Sequence, residues 1–155
     1  MRKPPKRIRK AHPLLPRSRV PPARKHRISP DPSRLYVVEL HIAKDRRHMR
    51  SLAHMAHDPL EPECMGLVRH YLTKTNRRRV CIAGGVVARM YLNRKDLRAR
   101  PGDIVAHECT HAGMAWAKFR GEGLRNMRSE EVLCYATGRM VAQVNRICYA
   151  EGVWK

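Results

Sequence analysis

The chain is short of several things, and each shortage narrows what it does. Its 155 residues include one Phe, two Trp and five Tyr, too few rings for base stacking to be the main mode of binding anything. Acidic residues number 13 against 33 Lys and Arg, a formal net charge of +20. An enzyme acting on a neutral small molecule has no need of that imbalance. It points to an anionic partner, nucleic acid before any other polyanion, met through phosphates and therefore sensitive to salt. No apolar run reaches membrane-spanning length and no signal-peptide core is visible, so no membrane association and a cytoplasmic location are expected, the host cytoplasm if the chain is phage-encoded. The five cysteines (Cys64, Cys81, Cys109, Cys134, Cys148) are odd in number and form no C-x-x-C pair. They sit in apolar stretches, as reduced core thiols do.

Proline, by contrast, is crowded into one place. Residues 1–34 hold eight of the eleven prolines, twelve of the 33 basic residues and a single acid, Asp31. Such a stretch buries too little apolar surface to offset its ordering entropy, so a disordered or extended basic tail is expected there. Arg2, Lys3, Lys6, Arg7, Arg9 and Lys10 are its candidate nucleic-acid contacts; the alternative is an inert solvated tail. Residues 35–155 make one domain and still carry a net charge of +9.

The pattern of that domain is α+β. The β-branched run 35–42 reads as a strand, and residues 44–57 as a polar helix whose His48, His54 and His57 lie on an exposed face. Cys64 to Leu72 reads as a short amphipathic helix. A basic turn, Asn76-Arg77-Arg78-Arg79, leads into Val80-Cys81-Ile82-Ala83. Gly84-Gly85 then suits a tight hairpin turn into a return strand over 86–92. Residues 120–128 form a loop, and Ser129 is placed as the N-cap of a second buried helix over 130–149, with a core stripe of Leu133, Ala136, Met140, Val144 and Ile147.

Between these lies His107-Glu108-Cys109-Thr110-His111, inside a helical run opened by Pro101-Gly102-Asp103. Histidines four apart share one helix face, where a single Zn2+ ion needs two nitrogens. Glu108 points about 100° further round, in reach of a metal-bound water whose proton it could take. Val105, Cys109, Ala112, Trp116 and Phe119 recur at helical spacing as the core stripe, and the two histidines project away from it. A catalytic zinc uses three protein ligands and keeps a fourth position open. Downstream donors are Glu122, Glu130 and Glu131. Glu122 lies in a loop between glycines. Glu130 falls beside the apolar stripe of its helix, whereas Glu131, like the histidines, points away from the core, which favours it over Glu130.

His107-Glu108-x-x-His111 followed by Glu131 resembles the gluzincin pattern of zinc metallopeptidases. The run Glu130-Glu131-Val132-Leu133-Cys134-Tyr135-Ala136 is similar to the glutamate-bearing helix of small bacterial and phage peptidases of the ImmA/IrrE type. SprT-like proteases resemble the chain in joining H-E-x-x-H to DNA binding, although the third histidine they typically use has no counterpart after His111. The resemblance implies a minimal zincin-like domain: a small sheet whose strand 86–92 edges the cleft and pairs with an extended peptide, the H-E-x-x-H helix, and a following helix bearing Glu131. It also implies a zinc-dependent endopeptidase in which Glu108 activates a zinc-bound water. Many gluzincins carry an Asp one turn after the ligand glutamate; Tyr135 stands there instead, as a packed core ring or as a donor to the developing oxyanion. The competing expectation is a non-catalytic, basic, phage-type nucleic-acid-binding protein that retains a zinc-binding zincin fold.

Overall fold

A computed structural model describes residues 22–53, 66–70, 85–120 and 127–155. The elements are strand β1 (Arg24–Ile28), strand β2 (Val37–Ala43), helix α1 (Arg46–Ala53), strand β3 (Gly66–His70), strand β4 (Val86–Asn93) and helices α2 (Arg94–Ala99), α3 (Pro101–Arg120) and α4 (Met127–Ala150). The class is α+β, with a mixed four-stranded sheet in the order β1-β2-β4-β3. β1 and β3 run antiparallel to their neighbours, and the two central strands are parallel.

Alternation along the strands sorts the sheet into two faces. Ile28, Val38, Leu40, Ile42, Ala88, Met90 and Leu92 join Val105, Cys109, Ala112 and Trp116 of α3 and Ala136, Met140, Val144 and Cys148 of α4 in one core. The opposite face is covered at one end by α1, where Met49 and Ala53 pack on Ala43 and Tyr91. Two ties seat α4. Gln143 exchanges a pair of hydrogen bonds with the Ser29 backbone, accepting from its N–H at 3.0 Å and donating to its carbonyl at 2.8 Å. At the other end Glu151 receives Arg24 and Arg94 at 2.8 and 3.0 Å.

α3 and α4 approach closely because Gly113 has no side chain. A Cβ there would stand 2.8 Å from both Leu133 Cδ1 and Thr137 Oγ1. α4 runs back along α3: Gly113 meets Leu133 and Thr137, and Arg98, just before α3, donates to the Val153 carbonyl, just after α4, at 3.1 Å. Asn93 caps α2 by accepting from the Asp96 N–H at 3.0 Å, and Arg46 of α1 grips Asp96 in a two-pronged contact at 2.5 and 3.1 Å.

Several sequence-based expectations need correction. The basic segment does not stay outside the fold: Arg24–Ile28, inside the stretch 1–34, is an edge strand. Cross-strand hydrogen bonds and the buried Ile28 offset its poor composition. Gly66–His70 is a strand, not part of a helix. Strand 86–92 is real but central, bonded on both sides, so among the described strands β3 rather than β4 lies at the edge. His48 is buried, its Nδ1 accepting the Lys44 N–H at 3.2 Å. Ser129 lies within α4, which begins at Met127. Cys134 is exposed, while Cys109 and Cys148 are buried free thiols as expected. The tail residues Arg2 to Lys10, His54, His57, Cys64, Cys81, the strand at 80–83, Gly84 and Glu122 lie outside the described residues. Gly85 adopts φ 75°, the conformation expected of that glycine pair.

Candidate metal and catalytic site

α3 forms as its sequence dictates. Pro101 opens it, and Val105, Cys109, Ala112, Trp116 and Phe119 all lie buried along one side. This rotation leaves His107 exposed and His111 half-buried. Their rings meet edge to face at 4.6 Å between centroids, with the two Nε2 atoms 3.1 Å apart. Two nitrogens on a tetrahedral zinc at ~2.0–2.1 Å stand about 3.3–3.4 Å apart, so the pair is spaced within a few tenths of an ångström of what one ion requires. Partial burial, with the nearby His107 and Lys118 charges, lowers the pKa of His111. That favours the neutral imidazole which metals bind.

Glu108 turns toward the sheet. It is 5 % exposed, tucked under the edge strand: a Cβ on Gly66 would lie 2.5 Å from its Cγ and 2.7 Å from its Cδ and Oε1. Burial pushes its pKa up to about 7. A carboxyl poised there can both accept and return a proton near neutral pH. Gly66 was not singled out by the sequence reading. The available signal was a glycine opening the short apolar pair Leu67-Val68, where a glycine within a strand marks close backbone approach.

Cys109, inside the motif, belongs to the core; burial, then the Glu108 and Cys148 charges, push its thiol up to about 12. It is therefore an inert packing group. Glu130 and Glu131 are both exposed in the first turns of α4. Gly113 faces Leu133 and Thr137, so Glu131 lies level with the part of α3 beyond Gly113 rather than with His107. Among the described residues no group of three or more His, Cys, Asp or Glu stands together as a metal site. The structure thus brings His107 and His111 together on one side of α3, turns Glu108 under β3, and leaves Glu131 outside any such group. Tyr135 is 71 % exposed, which excludes the packed core ring. Among the described residues no helix is long and apolar enough to cross a membrane.

Comparison with protein-family models, curated proteins and solved structures finds no match.

Proposed function

We propose that the chain is a small zinc-dependent endopeptidase with a minimal zincin-like domain, recruited to DNA by its basic N-terminal segment. One observation carries this reading: the convergence of His107 and His111 Nε2 at 3.1 Å, with the residue that follows His107 a buried carboxylate. A pair of surface histidines needs no acid sunk next to it, whereas hydrolysis does. His107 and His111 would hold the ion; Glu131, the third ligand expected from the sequence, stands apart from them among the described residues, so the third donor is left open. When bound, zinc supplies a charge that polarises a carbonyl and acidifies water.

The protein's own residues do the rest. Glu108 takes a proton from the attacking water and returns it to the departing amine. Gly66 of β3 lies directly over Glu108, so an extended peptide bound along this end of the sheet would pass the acid. Tyr135, exposed on α4, can donate to the developing oxyanion.

A second reading is favoured by the absence, among the described residues, of a third donor grouped with the histidine pair. In it the same fold binds nucleic acid and the histidines do no chemistry. Glu108→Gln separates the two. With a fluorogenic protein substrate, cleavage should fall at least about 10²-fold, the loss of a general base, while zinc content is unchanged. Cleavage retained in that variant would remove Glu108 from the mechanism.

A further inference from the structure

The four strands contain one acid, Glu39, against five bases, Arg24, Lys25, Arg27, Arg69 and Arg89. Register decides where they point, because residues directly paired across strands share a face. Arg27 pairs with Glu39, Glu39 with Arg89, and Arg89 with Arg69, giving one row across the whole sheet. Lys25 lies in the next row on that face, opposite His41, which is in turn opposite Tyr91. Only Arg24 turns to the helical face, where Glu151 receives it. Arg69 donates to the Ala53 carbonyl at 2.6 Å, which confirms that the row lies on the side of α1, away from α3 and α4. That carbonyl leaves the guanidinium charge intact.

We propose that this face binds the phosphate backbone of duplex nucleic acid. Glu39 is already satisfied by Arg89 at 2.7 Å, so the outer cations Lys25, Arg27 and Arg69 are exposed with no acid on their own strands. From β1 to β3 the row spans three inter-strand spacings, about 14 Å, a reach that crosses several phosphates of a duplex. The one ring on this face of the described strands besides His41 is Tyr91, which is buried and stacked on His41 at 4.8 Å. With no exposed ring there to stack a base, the face reads charge, not sequence. The inference shares with the preceding reading only an anionic partner. It needs neither zinc nor cleavage, and it places the contact on the folded domain rather than on residues 1–21.

The rival explanation is that the charges guard the edge strands β1 and β3 against pairing with other chains. Fluorescence anisotropy with a labelled DNA duplex, using the full chain with its N-terminal segment intact, distinguishes them. In Lys25→Gln/Arg27→Gln/Arg69→Gln the slope of log K against log salt should shrink by about 2–3, at ~0.9 per phosphate contact, and affinity near 0.1 M salt should drop by about 10²- to 10³-fold. Should the triple variant fail to fold, Lys25→Gln/Arg27→Gln should lose a slope of about 2. Glu39→Gln, which removes the only acid of the four described strands, should bind more tightly than wild type. Unchanged slopes, with increased aggregation of the variants, would overturn the proposal in favour of edge protection. Loss of binding to phosphatidylserine-containing vesicles without loss of DNA binding would overturn it in favour of a lipid surface.

Discussion

Replacing Gly66 with Ala tests how β3 is held against the α3 carboxylate. The new Cβ would fall 2.5 Å from Glu108 Cγ and 2.7 Å from Cδ and Oε1. No real methyl tolerates three such approaches, so either β3 lifts or Glu108 leaves its place. Overpacking of this kind costs about 1–3 kcal/mol, against a gain of roughly 0.5–1 kcal/mol from losing a flexible glycine in a strand. The net expectation is a loss of about 1–2 kcal/mol in urea unfolding, from the difference of those two effects. The cause can be isolated by repeating the substitution in a Glu108→Ala background, where all three clashing atoms are absent. There Gly66→Ala should be neutral or stabilising, for a coupling of about 1–3 kcal/mol between the two sites. Equal costs in both backgrounds would refute the contact, and with it the placement of Glu108 beneath the sheet edge.

Other expectations follow from the same packing. Burial alone would raise the pKa of Asp96, but hydrogen bonds from Arg46 and Asn93 outweigh it and hold the carboxyl below its ordinary 3.8. Its contribution to stability is therefore complete above that value and lost as pH falls through the lowered one. Asp96→Asn should flatten the acid limb of a stability–pH curve measured by denaturant unfolding, and an unaltered limb would contradict the pairing. Truncating residues 1–21 should leave thermal unfolding nearly unchanged, whereas truncating 1–34 removes β1 and the Ser29–Gln143 clasp. It should lower the melting temperature by many degrees, and equal melting of the two truncations would contradict the strand.

Periodic elements were legible in the sequence. The α3 stripe from Val105 to Phe119, the α4 stripe through Ala136, Met140 and Val144, and the β-branched strands β2 and β4 all repeat a period long enough to read. What escaped was short or was stabilised by distant parts of the chain. β1, Arg-Lys-His-Arg-Ile, looks like tail because four of its five side chains are basic or imidazole. It is a strand because β2 supplies its hydrogen bonds and the core takes Ile28. β3 is five residues long, where helical and strand spacings cannot be told apart. α2 is only six residues, though its Asn93 cap was a readable signal.

The candidate site divides the same way. The outward turn of His107 and His111 followed from projection along one helix. The burial of Glu108 did not, because it depends on where a separate edge strand crosses α3. The position of Glu131 depends on how α4 slides along α3, which Gly113 decides through contacts with Leu133 and Thr137. Helical projection treats each helix alone and carries no information about that slide.

The central claim is that His107 and His111 form a zinc mount whose neighbouring acid serves chemistry rather than binding. Its most direct test is the zinc content of the purified full-length protein beside Glu108→Gln and His107→Ala/His111→Ala. The account predicts stoichiometric zinc in wild type and in Glu108→Gln, and none in the double histidine variant. Zinc retained without both histidines, or absent from wild type purified with zinc present, would contradict it.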